Sequence, residues 1–206
     1  MKKLHLLLAV LLLVSIQSFG QYRFEIAGGT GLVGSTDYSE FSSPVNFAAT
    51  FGYKQNDNLF FYFEGGINNA KNSLGNINSS TFLSIVAKNN LDLGIFYVHL
   101  GGTLGVSFNK YGDYYSDWGT YTEYILPEKE TSLYLSAVIE IVRYIDIEQK
   151  YGILLRSGMA TSGSLGFTDI TLKEYDQNNV LINEYNESTS LGLKFIPVML
   201  GFVVNI

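Results

Sequence analysis

The stretch VNFAATFGYK (Val45–Lys54), followed after a short polar link by LFFYFEGGIN (Leu59–Asn68), decides the fold. In each segment one set of alternate positions is mainly apolar, and polar side chains such as Thr50 and Glu64 fall in the other set. This period of two is typical of strands that separate an apolar surface from a polar one. The link Gln55–Asn58 predicts a tight turn, so the two segments form an antiparallel hairpin.

Six further segments fit the same arrangement. Three of them alternate clearly (22–27, 133–141 and 151–159), and three carry apolar side chains on both faces (78–88, 91–108 and 190–206). The interior of an eight-stranded barrel is narrow and filled by side chains, so inward apolar residues are compatible with it. We therefore predict an all-β fold, an eight-stranded antiparallel up-and-down transmembrane β-barrel.

The links between the segments alternate in length. Short links are predicted at Gln55–Asn58, Asn89–Asn90 and Asp146–Gln149, and long polar links at 35–43, 70–77, 109–130 and 162–189. Outer-membrane barrels have short periplasmic turns and longer outer loops, so both termini are predicted to be periplasmic. A soluble β-sandwich would explain the alternation within the segments but not the regular order of link lengths.

The N-terminal segment has the layout of a secretory signal. Two lysines precede the apolar run Leu4–Ile16, and small side chains at Ser18 and Gly20 indicate a cut after Gly20. The run is shorter than a membrane-spanning helix, although an uncleaved anchor helix is the alternative. The predicted organisation is a signal peptide at 1–20 and an outer-membrane barrel domain at 21–206.

Composition excludes several classes of function. Of the 13 Lys and Arg residues two lie in the leader, which leaves 11 against 19 Asp and Glu, a net charge near −8. Nucleic-acid binding depends on a basic surface, so no nucleic-acid partner is expected. The chain has no cysteine, which excludes a lipid-modified lipoprotein, disulfides and cysteine metal sites.

The leader, the eight alternating segments and the final strand GLKFIPVMLGFVVNI (192–206) together carry a family resemblance. The mature chain resembles small outer-membrane β-barrel proteins, namely the OmpA/OmpX-like barrels and the "outer membrane protein beta-barrel domain" family of Bacteroidota. It departs from their pattern at Ile206, because such barrels usually end on an aromatic residue, and here Phe202 lies four residues earlier. The resemblance implies no single function, since members include anchors, adhesion and defence proteins, narrow pores and lipid-modifying enzymes.

Charged residues on the predicted lumen side form the first candidate site. They are Arg23, Glu25, Lys54, Glu64, Glu140, Arg156 and Lys194. Ionised groups in a tight interior must be paired or hydrated, because otherwise their desolvation cost dominates. We favour an ion-pair network that fills the lumen, and the alternative is a narrow channel for water or small ions.

The loops 109–130 and 162–189 form the second candidate site. The first loop offers aromatic contact residues, namely Tyr114, Tyr115, Trp118, Tyr121 and Tyr124. Such side chains bind sugars or proteins, or else belong to the aromatic girdle at the headgroup level. In the second loop, apolar residues alternate on both sides of a DQNN turn, which predicts either a hairpin with an edge for strand addition or a solvated protrusion.

Two patterns that could carry chemistry are interpreted as structural. Gly29–Gly34 fits G-x-G-x-x-G, but a turn-rich loop follows it and Thr50 lies near the expected acid position, so the glycines indicate close strand packing. His99 is the sole histidine after the leader, and Gly101 stands where the similar lipid A deacylase barrels have a serine. We predict no catalytic, cofactor or metal site and no enzyme activity.

The sequence therefore predicts a monomeric outer-membrane barrel, surrounded by outer-membrane lipid, with a structural or surface-interaction role through both loops. An extracellular protein or glycan is the expected partner. The rival hypotheses are a narrow porin-like channel and a lipid-modifying enzyme that depends on His99.

Overall fold

The computed structural model describes residues 22–35, 40–54, 58–71, 77–111, 114–117, 121–126, 129–164, 168–189 and 192–206. The predicted signal peptide at 1–20 and the candidate contact Trp118 lie outside the described residues. The strands are β1 (Tyr22–Ser35), β2 (Glu40–Lys54), β3 (Leu59–Lys71), β4 (Ile77–Asp92), β5 (Tyr97–Lys110), β6 (Tyr114–Asp117), β7 (Tyr121–Ile125), β8 (Glu130–Tyr144), β9 (Tyr151–Ser164), β10 (Thr168–Tyr175), β11 (Leu181–Thr189) and β12 (Gly192–Asn205). Among the described residues no helix is long and apolar enough to cross a membrane.

Eight of these strands close into a barrel in the order β1-β12-β9-β8-β5-β4-β3-β2. Every neighbouring pair is antiparallel, and β1 pairs with β12 to complete the ring. At the seam, the Ile206 amide donates to the Tyr22 carbonyl at 2.7 Å. The predicted eight-stranded antiparallel barrel is therefore confirmed, and its closure removes exposed strand edges.

The barrel has an apolar outer surface and a filled interior. Large apolar side chains point outward along its strands, for example Phe63, which is 72% exposed, and Leu83, which is 60% exposed. Alternate residues point inward, and on β3 the buried set includes Tyr62 and Glu64. This is the arrangement of barrels that span a bilayer, because lipid rather than water solvates the outer face.

One predicted turn is wrong. The strand β4 continues through Asn89–Asn90 to Asp92, and the turn to β5 is formed instead by Leu93–Phe96. Gly94 has a φ of 85°, and its amide donates to the Asp92 carboxylate at 2.7 Å. The asparagine pair has turn-forming chemistry, but Gly94, which adopts positive φ without strain, lies four residues beyond the pair, and the strand pairing extends to Asp92 just before it.

The two longest loops fold into a second sheet, which we call the extramembrane sheet (β6, β7, β10 and β11). Its strand order is β11-β10-β7-β6, so strands from loop 109–130 and loop 162–189 lie side by side. The β10–β11 hairpin agrees with the alternation in the sequence, whereas the pairing of β7 with β10 was not predicted. The Asp176 carboxylate closes the hairpin turn by accepting the amides of Asn178 and Val180, each at 2.8 Å.

Candidate functional site

Strand register aligns the polar and charged residues of the lumen in two groups, each formed by residues that lie opposite one another on three neighbouring strands. Glu25 on β1 lies opposite Thr50 on β2, which lies opposite Glu64 on β3. Likewise His99, Glu140 and Arg156 lie side by side on β5, β8 and β9. Because side chains opposite one another in an antiparallel sheet share a face, each group of three points into the lumen together.

Lys88 is the centre of the buried network. Its ammonium Nζ donates to Glu25 Oε2 at 2.5 Å and to Glu140 Oε1 at 2.7 Å. The other oxygen of Glu25 accepts a hydrogen bond from Arg23 Nε at 2.6 Å, and Thr50 donates to Glu25 Oε2 at 2.8 Å. All five side chains are buried, so the charges are desolvated and depend on one another for compensation.

Arg156 extends the network across the barrel through two further contacts. Arg156 Nη2 lies 2.5 Å from Glu64 Oε2, and Arg156 Nε lies 3.7 Å from Glu140 Oε1. With Lys88 and Arg23, the described network contains three cationic side chains and three carboxylates. Its formal charges cancel, which is the condition under which a cluster of this kind can persist in a low-dielectric interior.

His99 links the network to the aromatic side chains around it. Its Nδ1 lies 3.2 Å from Glu140 Oε2 and 3.3 Å from Arg23 Nη2. One ring nitrogen either donates to the carboxylate or accepts from the guanidinium, so the tautomer decides which of the two bonds forms. The His99 ring also packs on Phe60, with 5.4 Å between ring centroids, and Arg23 Nη1 donates to the Tyr144 hydroxyl at 2.9 Å.

The structure places the seven predicted lumen charges in three environments. Five lie in the lumen and belong to the network: Arg23, Glu25, Glu64, Glu140 and Arg156. Lys54 is half-buried at the end of β2, at the mouth of the barrel. The prediction for Lys194 is wrong, because it lies on the outer face while its neighbours Leu193 and Phe195 fill the lumen.

Sequence reasoning did not place Lys88 or His99 in the lumen network. Both lie in segments with apolar residues on both faces, where alternation does not indicate which set points inward. A usable signal was present, because a charged or polar side chain in the middle of a lipid-exposed strand is costly unless it faces the interior. Applied to Lys88, that argument sets the register of β4 and places Phe82 and Val86 inside as well.

The lumen on the loop side of the network is closed by packed side chains. The rings of Phe82 and Tyr134 stack across it with 4.2 Å between centroids and an interplanar angle of 8°. Above them, Asn109 Nδ2 donates to Ser132 Oγ at 3.0 Å, and Ser162 Oγ donates to Asn109 Oδ1 at 3.2 Å. The lumen is therefore layered, with ion pairs below, stacked aromatic rings in the middle and a hydrogen-bonded polar belt above.

The extramembrane sheet forms the top of this column. Ile170 and Leu172 on β10 are buried in the same apolar cluster as Leu126, Leu193 and Phe195. The inner face of the sheet thus packs against the loop end of the barrel and is continuous with its core. Burial of these side chains holds the sheet in place, since each fully buried Leu or Ile contributes roughly 1.5–3 kcal/mol.

The opposite end of the barrel is open. A cavity of about 640 Å³, which we call the vestibule, lies beside the short turns and is lined by side chains that include Lys54, Tyr97, His99, Tyr144 and Lys150. By contrast, the void beside Phe82 and Tyr134 in the middle of the lumen measures about 10 Å³. The described part of the interior is therefore open beside the short turns and closely packed at the level of Phe82 and Tyr134.

Three network residues also have the side-chain types of a metal site. The ligand atoms of Glu25, His99 and Glu140 lie within 4.8 Å of one another. The Lys88 ammonium lies between the two carboxylates, however, and the Arg23 guanidinium is next to His99. These fixed positive charges already compensate the carboxylates, so the arrangement favours ion pairing over metal binding.

The predicted aromatic contacts of loop 109–130 are partly described. Tyr114 and Tyr115 lie on β6, and Tyr121 and Tyr124 lie on β7. Of these side chains only that of Tyr124 falls within the described residues, and it is half-buried against the apolar cluster that contains Ile170 and Leu172. Tyr124 therefore contributes to the inner face of the extramembrane sheet.

Comparison with known proteins identifies the fold. No family model and no curated protein match the chain. Among solved structures, Neisserial surface protein A is similar with a TM-score of 0.51 and 13% identity, over 91% of this chain and 98% of that one. A major outer membrane protein from Thermus thermophilus has a TM-score of 0.49 and 10% identity, over 90% of this chain and 99% of that one. Ail, the attachment invasion locus protein of Yersinia pestis, has a TM-score of 0.45 and 12% identity, over 91% and 99%. The similarity to Neisserial surface protein A and the closed ring of eight strands show that the chain has the fold of a small outer-membrane β-barrel.

Proposed function

We propose that the protein is a monomeric, integral outer-membrane barrel whose extramembrane sheet is a surface for interaction with an extracellular protein or glycan. The observation that carries this proposal is the pairing of β7 with β10, from Thr171 opposite Ile125 to Tyr175 opposite Tyr121. It joins the loops 109–130 and 162–189 into one ordered sheet. Two loops whose only role was to connect barrel strands would not need to pair with each other as neighbouring strands of one sheet.

The proposed location is supported by three observations. The barrel is closed, its outer face is apolar, and the N-terminal residues have the pattern of a secretory signal. Outer-membrane barrels have their short turns on the periplasmic side. By that rule the short turns and the vestibule face the periplasm, and the extramembrane sheet faces the cell exterior.

The filled lumen supports an interaction role over transport. The ion-pair network, the stack of Phe82 on Tyr134 and the buried side chains of Ile170 and Leu172 occupy successive levels of the interior. A substrate would have to displace all three levels to cross. The exposed strand β11, in contrast, is available without any rearrangement.

The proposal can be tested on cells that display the protein in a heterologous outer membrane. Their adhesion to panels of immobilised glycans and extracellular proteins is compared with that of a variant in which residues 168–189 are replaced by a short turn. We expect adhesion to at least one partner, which the variant loses and the matched control Lys54→Ala at the vestibule retains. Adhesion that survives removal of the hairpin, or a folded protein that confers none, would contradict the proposal.

The vestibule is the one observation that favours the second candidate, a narrow channel. Its polar lining leads from the short turns to Arg23 and His99 at the edge of the network. Planar-bilayer conductance of the refolded protein distinguishes the two functions. We expect no stable conductance, whereas reproducible steps that change in Glu64→Gln or Arg156→Gln would assign function to the lumen.

We propose no enzyme activity. Among the described residues, the side-chain hydrogen-bond partners of His99 are Arg23 and Glu140, and neither is a nucleophile. The expected outcome is that lipid A from cells that express the protein has an unchanged mass. A mass change that disappears in His99→Ala would establish a lipid-modifying enzyme instead.

A further inference from the structure

The extramembrane sheet has one long open edge, the strand β11. Its residues Leu181–Ser188 are all exposed, and among the described strands it pairs with β10 alone. Natural edge strands are usually protected by charged side chains, above all lysine, by proline or by a bulge in the strand. β11 contains no lysine or proline, its charged side chains are Glu184 and Glu187, and the irregularity in its pairing lies next to the turn, at Glu174/Tyr175.

This edge is organised before any partner arrives. Thr171 Oγ1 donates to Asn186 Oδ1 at 2.9 Å, Ser188 donates to the Asp169 carboxylate, and the Asp176 carboxylate closes the turn. Burial of the inner face of β10 in turn fixes the hairpin on the barrel. A preorganised edge loses little conformational entropy on binding, which favours addition of another strand.

The charge of the hairpin indicates what kind of strand fits. Residues 168–189 contain five acidic side chains and one lysine, and two of the acids, Glu184 and Glu187, lie on β11 itself. A second copy of the same edge would bring the carboxylates of both copies to one seam, where like charges repel. A strand with basic side chains would instead be attracted and held there.

Building on the proposed surface role, we propose that β11 binds an extended, basic polypeptide segment as a fifth strand of the extramembrane sheet. Main-chain hydrogen bonds supply the affinity, as in other cases of strand addition. The exposed side chains of Ile182 and Tyr185, which are on opposite faces of β11, offer apolar contacts to residues between the basic ones. Glu184 and Glu187 select for positive charge.

The test uses the refolded full-length barrel in detergent micelles and three short labelled peptides. One alternates lysine with valine and threonine, the second has glutamate in place of each lysine, and the third is the basic peptide with prolines at its centre. We expect the basic peptide to bind at least about tenfold more tightly than the other two, because the acidic one is repelled and proline cannot donate to a ladder. Equal binding of the basic and proline peptides would overturn the proposal.

Two further measurements separate strand addition from simple charge attraction. Glu184→Gln combined with Glu187→Gln is expected to weaken binding of the basic peptide several-fold, roughly in line with the loss of exposed charges, whereas the control Glu148→Gln at a short turn leaves it unchanged. Hydrogen exchange is expected to show protection of the β11 amides on binding and no change on β6. Binding without that protection would also overturn the proposal.

The outcome is distinguishable from failure of the proposed surface role. If replacement of 168–189 abolishes adhesion but the basic peptide binds no better than the acidic one, the surface role stands and strand addition at β11 is wrong. If adhesion survives that replacement, the surface role itself is wrong, whatever the peptides show.

Discussion

The lumen and the extramembrane sheet use charge in opposite ways. In the lumen, three cations and three carboxylates are buried, and the ion pairs that they form with one another span 2.5–3.7 Å. In the β10–β11 hairpin, five acids accompany one lysine, and β11 is exposed along its length. Buried charge costs several kcal/mol per ion unless it is paired, whereas exposed charge stays hydrated. The comparison indicates that lumen charge serves the integrity of the barrel and that sheet charge remains exposed to solvent, where the proposed partner would meet it.

The largest expected effect comes from removing the central cation of the lumen. Lys88→Met leaves the carboxylates of Glu25 and Glu140 buried without the ammonium between them. We expect a loss of about 3–5 kcal/mol in the free energy of unfolding, the cost typical of breaking a buried ion pair. Urea unfolding followed by heat-modifiability gels measures it. Lys54→Met at the vestibule is the matched control and should change stability far less.

A second variant sharpens the interpretation of Lys88. Adding Glu140→Gln to Lys88→Met removes one of the two stranded carboxylates, so part of the lost stability should return. If Lys88→Met is as stable as the wild-type protein, the lumen charges do not hold the barrel together and the contrast with the extramembrane sheet fails.

The pair Arg156 and Glu64 should be coupled more weakly. A double-mutant cycle with Arg156→Leu and Glu64→Gln is expected to give a coupling energy of roughly 0.5–3 kcal/mol, the range for residues in direct contact. Arg156 Nη2 and Glu64 Oε2 are 2.5 Å apart and both side chains are buried, so solvent does not screen the ion pair. Coupling near zero would mean that each residue is compensated by other groups.

Removing the turn carboxylate of the hairpin should affect the sheet alone. Asp176→Ala deletes the acceptor for the amides of Asn178 and Val180. We expect faster hydrogen exchange at the β11 amides, whereas the midpoint of global unfolding in urea stays the same. Ser188→Ala removes a hydroxyl at the other end of β11. It serves as the comparison, because it shows how far the loss of one side-chain hydrogen bond changes exchange along the strand. An equal loss of stability in the barrel would show that sheet and lumen unfold as one unit.

The smallest effect is a pH dependence of the hairpin. Hydrogen bonds from the backbone amides of Val180 and then Asn178 hold the pKa of Asp176 below its usual value. A carboxyl with a lowered pKa in the folded state stabilises the hairpin above its unfolded pKa, about 3.9, and this contribution is lost as the pH falls through the folded value. The β11 amides of the wild-type protein should therefore lose protection below about pH 4 relative to Asp176→Asn, which lacks the titrating group. Identical pH profiles would contradict this account.

Strand identity could be predicted from residues close together in the chain. The alternation of Leu59–Asn68 predicted which residues point outward because a strand has a strict period of two. On β4 and β5 alternation did not indicate which set of residues points inward, since both faces are largely apolar, and Lys88 and His99 were not placed in the lumen. Lys194 was misplaced for a related reason, because the lumen near the loops is filled by apolar residues such as Phe195.

The sequence by itself determined the eight strands of the barrel, their antiparallel order and most of the charges that must be compensated, because alternation and link length are local properties of the chain. Tertiary structure alone decided which groups meet. Lys88 and Glu25 are 63 residues apart and are joined only when the register of four strands around the barrel is set. The pairing of β7 with β10 depends in the same way on barrel closure, which brings two distant loops to one end. Contacts of this range depend on the position of every strand between them, and no local pattern encodes that position.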